Sequence, residues 1–364
     1  LERVSDRQLM LMTGNYITEA TLISLPAQII GIAQQDSWLA YLLPTLVMVF
    51  ILYLLARTLN RFPQQDLFEA VVNRWSWAGR GITVLYILFF FFILTRDMRM
   101  MLDFVNNALL LNTPLLVIGI LTVITLVMIA RGGVELLGRM TELFFPLFFL
   151  VVMAIPITLF KELDYKYLQP FFDQGLVKLL QGSWLALPYF AESFVVVFLC
   201  AGTRLPFKRV VYGLFIGFGM LEVLMVTNTL TLGTHLSARM MYPNHEMIRQ
   251  IRLTDFLDRF DLLIVAVYLP CLLIKLSVSL FVVCHGIKRT ATTVSAKNLT
   301  MSVGALALVC SLFFYENAIQ ILNLNYTWPF LGIIFQVLLP VLFFLFLKPK
   351  KRREPDEEQK EEAA

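Results

Sequence analysis

Two proline-bearing segments carry residue types that a plain apolar helix does not need. One reads Gly14-Asn15-Tyr16-Ile17-Thr18-Glu19-Ala20-Thr21-Leu22-Ile23-Ser24-Leu25-Pro26, the other Trp184-Leu185-Ala186-Leu187-Pro188-Tyr189-Phe190-Ala191-Glu192-Ser193. Each sets a carboxylate beside a proline inside a long hydrophobic run. Proline removes the backbone hydrogen bond to the residue four earlier, and polar neighbours can stabilise the unwound turn that follows. Such a turn presents bare amides and carbonyls, which together with a carboxylate and aromatic rings can hold a small polar solute. Both prolines can equally be ordinary kinks, which membrane helices tolerate, as Pro146, Pro156, Pro270 and Pro340 exemplify. Glu19 and Glu192 weigh toward function, because a carboxylate deep in lipid is costly and usually has a task.

Further charge lies in apolar surroundings. Arg96, Asp97, Arg99 and Asp103 share one run, Lys275 stands in another, and Glu222 precedes Thr227 and Asn228 in a third. Arg99 and Asp103 are spaced to pair on one helix face. Arg96 and Asp97 are adjacent, so the helical spacing predicts that they do not face each other. Glu222 either lines a polar cavity or makes a helix–helix hydrogen bond. Catalytic patterns are missing: His245-Glu246-Met247-Ile248-Arg249 lacks the second histidine of a zinc-protease helix, and there is neither a G-x-S-x-G nor a P-loop. His235, His245 and His285 form no ligand pair on one face. Cys200, Cys271, Cys284 and Cys310 show no C-x-x-C spacing. No enzyme activity, metal or cofactor is expected.

The elements that hold these residues are membrane helices. Of 364 residues, 58% are hydrophobic, 15% are charged and 31 are Phe. That composition excludes a cytosolic enzyme, a disordered chain and a nucleic-acid binder. A hydrocarbon core of about 30 Å needs about 20 apolar residues in a helix. Ten stretches qualify: 9–33, 37–57, 81–109, 114–130, 141–160, 183–202, 207–232, 261–285, 299–315 and 328–347. The first is expected to be a retained helix rather than a signal peptide. A single transmembrane domain over 1–347 and a charged tail over 348–364 follow. Lys and Arg concentrate in the even-numbered loops and the tails, for example Arg57, Arg61, Arg131, Arg139, Lys208, Arg209, Lys288 and Arg289, which predicts cytoplasmic termini. The five Trp fall near span ends, as an interfacial belt requires. The basic half of the tail is placed to touch anionic membrane lipid. Within 233–260, Met247, Ile248, Ile251, Phe256, Leu257 and Phe260 recur at helical spacing, predicting an amphipathic helix over the outer mouth or a docking surface. Spans one and six, which hold the two proline motifs, lie five apart. That spacing fits a five-plus-five repeat, in which paired broken helices point to a transporter-type site.

Three stretches carry a family resemblance: Ser5 to Leu9 with Pro26; Tyr167-Leu168-Gln169-Pro170 followed by Gly175, Gly182 and Glu192; and Tyr242-Pro243, Ile248-Arg249-Gln250-Ile251 and Asp255-Phe256-Leu257-Asp258-Arg259-Phe260-Asp261 leading to Lys275. Together they resemble the B subunits of bacterial spore germinant receptors, a branch of the amino acid–polyamine–organocation superfamily. The resemblance implies an all-α integral membrane protein with ten transmembrane helices, a LeuT-like inverted repeat and broken helices one and six. It also implies residence in the inner membrane of an endospore, recognition of a small germinant, often an amino acid, and work alongside an A-type membrane subunit and a C-type lipoprotein. A proton- or sodium-coupled amino-acid transporter is the competing function. The expected pocket comprises Thr18, Glu19, Ala20, Thr21, Phe92, Tyr189, Phe190, Glu192 and Cys271; Arg96, Asp97, Glu222 and Lys275 are expected to serve coupling or ion pairing. In a LeuT-like fold Lys275 would pair with Glu19 or Asp97. Relatives place glycine at the helix-one break, whereas this chain has Thr18-Glu19-Ala20-Thr21. The added acid leaves room for a cationic or neutral polyol germinant.

Overall fold

In the computed structural model, residues 4–62, 65–200, 205–251, 260–291 and 295–349 are described, the side chains of 260–263 excepted. In chain order the helices are α1 (Asp6–Ser24), α2 (Pro26–Ala33), α3 (Leu42–Leu59), α4 (Leu67–Phe104), α5 (Leu115–Arg131), α6 (Gly133–Thr158), α7 (Gly175–Ala191) and α8 (Val196–Leu199), followed by α9 (Phe207–Leu232), α10 (Thr234–Ser237), α11 (Pro243–Ile248), α12 (Phe260–Thr290), α13 (Ala296–Phe313), α14 (Ala318–Leu324), α15 (Trp328–Ile333) and α16 (Leu339–Phe346). No strand occurs among the described residues. Eight helical segments among them are long and apolar enough to cross a membrane, and α5 is apolar but shorter. Lipid offers no partner to backbone N–H and C=O groups, so helices that satisfy those groups internally are the expected solution.

The long helices run back and forth between a near end, where α1 begins, and a far end. α1 starts on a capping box: Ser5 accepts from the Gln8 amide at 3.2 Å and Gln8 accepts from the Ser5 amide at 2.9 Å. It packs closely on α9, where a Cβ added to Gly213 would stand 2.0 Å from the Met10 carbonyl. At the near end Asp66 caps α4, accepting from the Glu69 amide at 2.8 Å, and also meets His285 at 2.8 Å and Arg289 at 2.8 Å. Burial raises the Asp66 carboxyl, but these partners outweigh it and hold the group below its ordinary range. Arg61 and Arg74 donate to the Phe344 and Lys348 carbonyls at 2.6 and 2.7 Å, closing the end of α16.

The first span is bent rather than unwound at its polar cluster. Residues 18–21 are regular helix, and the interruption falls at Leu25, between α1 and α2. Thr18 and Thr21 turn their hydroxyls back onto carbonyls of their own helix, Gly14 and Ile17 respectively, so neither needs an unwound turn for a partner. Helix six is interrupted after Ala191, where a 3-10 turn, Glu192–Val195, separates α7 from α8.

Candidate functional site

The interruption after Ala191 places Glu192 against α4 and α12, where four charged side chains close on one another. Arg96 donates from Nη2 to Glu192 at 2.6 Å and from Nε to Asp97 at 2.8 Å. Lys275 Nζ lies 2.7 Å from the other Glu192 oxygen and 3.1 Å from Asp97 Oδ2. All four side chains are at most 1% exposed. Two cations and two anions sum to zero, and the mutual contacts offset desolvation that no single buried ion could bear. The Arg96 guanidinium sits over the rings of Tyr189 and Trp328 at 4.6 and 4.8 Å, and Lys275 over Tyr16 at 4.8 Å.

One sequence expectation changes here, and another is narrowed to one of its alternatives. Arg96 and Asp97 do contact each other: their Cα–Cβ directions diverge, but the long arginine side chain curls back to its neighbour. Lys275 takes Asp97 together with Glu192, and forms no ion pair with Glu19 among the described residues. Arg99 and Asp103 pair at 3.0 Å as their spacing requires.

Helix one flanks this cluster. Asn15 donates to the Cys271 carbonyl at 3.0 Å, Tyr16 shares a 2.7 Å hydrogen bond with Ser279, and Tyr268 donates to the Glu19 carbonyl at 2.7 Å. The remaining acceptors stay open. Glu19 Oε2 and Asn15 Oδ1, one helical turn apart and fully buried, have no hydrogen-bond donor among the described residues. A buried acceptor without a donor costs about 1–3 kcal/mol. Beyond Glu19 toward the far end, a cavity of about 30 Å³ is lined by Leu22, Ile23, Phe148, Tyr242, Asn244 and Tyr268. It holds a water or two and no larger solute.

Pro26 leaves the Leu22 carbonyl without its helical donor, and Asn244 on α11 supplies one at 3.1 Å. On the other side Asn325 donates to the Ser24 carbonyl at 3.1 Å and accepts from the Tyr189 hydroxyl at 2.6 Å. The bend in helix one is thereby tied to both α11 and α7. The spacing of polar residues did not single out Asn244, Asn325, Tyr268 or Trp328. For Asn244 there is a signal, the Leu22 carbonyl that Pro26 orphans and that needs a donor from somewhere in the fold; the other three have none.

Other expected residues are placed differently. Phe190 packs on Tyr41 at 5.3 Å, and Phe92 stacks on Trp328 at 5.3 Å. Ala20 is buried, its carbonyl accepting from Ser24, and Cys271 offers its carbonyl to Asn15. Glu222 lines no polar cavity and bonds no neighbouring helix among the described residues. It sits in an apolar groove with Trp38, Leu42, Pro156 and Phe218, and its Oε2 has no donor among the described residues. α11 buries Met247 and Ile248, with Ile251 just beyond it; the remainder of that expected helix, 252–259, lies outside the described residues.

A bent first helix and an interrupted sixth around a central site define a transporter-type, LeuT-like architecture. The same fold occurs in Mhp1, a nucleobase-cation-symport-1 family transporter solved in a closed conformation with bromovinylhydantoin bound (TM-score 0.67, 11% identity, 94% of this chain and 78% of that one). The chain itself belongs to the spore germination protein family, whose model matches residues 3–319. It is 29% identical to the putative spore germination protein YfkT of Bacillus subtilis (strain 168) over 96% of this chain and 98% of that protein. Spore germination protein KB of the same organism is 27% identical over 97% and 96%, and spore germination protein XB of Bacillus anthracis 21% identical over 86% of each. The apolar helices fit an integral membrane protein of that family.

Proposed function

We propose that this chain is the germinant-sensing membrane subunit of a spore germination receptor. A small nutrient bearing hydrogen-bond donors, an amine above all, binds between the bend of helix one and the break of helix six. The observation that carries this reading is the pair of buried, donorless acceptors on Glu19 and Asn15, set beside a neutral ionic cluster that ties α4 and α12 to the helix-six break. A ligand donor at Glu19 would compete with the present closed packing and disturb the contacts of helix one with α12 beside the cluster. Because the open space is only about 30 Å³, binding requires the far end to open, so ligand entry and conformational change are one event. The chain would work in the spore inner membrane, with its basic near end cytoplasmic and with an A-type subunit and a C-type lipoprotein as partners.

Spores carrying Tyr189→Ala at normal abundance should need more germinant for a half-maximal response. An unchanged dose–response curve would remove the site from this position. Coupled amino-acid transport is the second reading, favoured by the likeness to a solved transporter. Uptake of a labelled germinant by proteoliposomes, driven by a proton or sodium gradient, would establish transport; binding without uptake supports the sensor.

A further inference from the structure

The near end holds a second concavity, remote from the helix-one bend. Arg131 is the last residue of α5, Lys288 stands in the last turn of α12 and Lys297 in the first turn of α13. The three line a cavity of about 320 Å³ whose inner wall is the apolar Phe198, Leu199 and Phe281. No carboxylate lines it among the described residues. Some cations of this end are matched, Arg289 by Asp66 and Glu69, Arg139 by Glu135 and Arg7 by Glu142, whereas others, Arg61 and Arg74 among them, reach backbone carbonyls instead. Arg131, Lys288 and Lys297 form no ion pair among the described residues. Arg131 donates Nε to the Thr300 hydroxyl at 3.2 Å, which fixes its direction and leaves its charge uncompensated.

Three like charges converging from three helices repel one another, and a concave wall of low dielectric sharpens the positive potential between them. We propose that this cavity binds a phosphate group. A phosphate disposes its oxygens tetrahedrally, so cations arriving from separate directions can each meet the group, where a carboxylate's two oxygens lie in one plane. The apolar wall behind the cations suits the glycerol and upper acyl atoms of an anionic phospholipid, and the helix ends lie where headgroups stand. Free phosphate carries the same recognition chemistry. Phe198 and Leu199 belong to α8, the lower half of helix six, so an occupant would lie against the element that carries the break.

The test uses the full-length protein in nanodiscs of phosphatidylcholine with and without phosphatidylglycerol, and separately in detergent with inorganic phosphate. Thermal unfolding, followed by tryptophan fluorescence, reports binding. Phosphatidylglycerol should raise the melting temperature of the wild type. Its apparent affinity should fall about 5-fold for each lysine removed, through Lys297→Gln and then Lys288→Gln with Lys297→Gln. The control pair Lys208→Gln with Arg209→Gln removes the same charge from exposed positions of the same end and should leave the affinity unchanged. Stabilisation by inorganic phosphate, lost in the same lysine variants, identifies a soluble source instead of a lipid. The inference is overturned if neither probe stabilises the wild type, or if the control pair loses the effect equally, because the response would then be one of general surface charge. Should the double variant fold poorly, the single exposed Lys297→Gln decides the matter.

Discussion

Lys275→Met tests the ionic cluster most directly. Methionine keeps the length and removes the charge, leaving Asp97 and Glu192 to share Arg96. The cluster then carries one uncompensated negative charge among side chains that are at most 1% exposed. Breaking a buried pair from one side costs about 3–5 kcal/mol, a shift of roughly 10²–10⁴ in the folded population at 1.4 kcal/mol per tenfold. The single variant should therefore be depleted from membranes and melt early in detergent. Adding Asp97→Asn or Glu192→Gln restores neutrality and should recover much of the abundance. Adding Glu19→Gln should not, because Glu19 forms no ion pair with Lys275. Immunoblots of membrane fractions and melting curves of the purified variants give the stability; germination of the same spores gives the response. Full abundance of Lys275→Met, or rescue by Glu19→Gln alone, would show that the four-membered cluster does not hold the protein together as described.

Three other outcomes can be checked independently. Tyr189→Phe removes the hydroxyl that reaches Asn325 while keeping the ring under Arg96, so it should shift the germinant dose–response several-fold at normal protein level, and an unshifted curve argues that the tie is idle. Asp66→Asn should lower stability by about 3 kcal/mol. Since the folded carboxyl is held below its ordinary range, its contribution is complete above about pH 4 and is lost as pH falls through the depressed value; acid unfolding curves of wild type and variant should converge there. Gly213→Ala forces a Cβ to 2.0 Å from the Met10 carbonyl and should destabilise by about 1–3 kcal/mol or more, measurable as a lower melting temperature of the purified protein.

Much of the fold is legible without coordinates. Long apolar runs leave helices as the expected way to satisfy the backbone, and the proline–carboxylate pairs at Pro26 and Pro188 fall on two helices that are interrupted, whereas the kink at Ser76 and the π-helical turns at Val105–Leu109 and Ile334–Leu338 carry no such mark. What the sequence hides is rotation. Helical period says which residues share a face of α4, yet nothing in it says that this face meets Glu192, so the partners of Lys275 could be narrowed but not chosen. The Arg96–Asp97 contact was obscured for a different reason: spacing describes where Cβ atoms point, and a guanidinium several bonds away can return to its neighbour. The helix-one bend falls at Leu25 and not at the polar cluster because Pro26 disfavours helical geometry in the residue before it, while Thr18 and Thr21 satisfy their hydroxyls on carbonyls of their own helix. Asn244 and Asn325 lie outside the apolar runs, and only the folded chain brings them to carbonyls more than 200 residues away.

The neutrality of the central cluster also governs how the protein meets an electric field. Moving one elementary charge across a membrane potential changes its energy by about 2.3 kcal/mol per 100 mV. The charges of Arg96, Asp97, Glu192 and Lys275 cancel, so a movement that carries the four together displaces no net charge along the field. In the sensor proposed above, such a movement would answer to what binds the protein and not to voltage, and would proceed whether or not the membrane around it is energised.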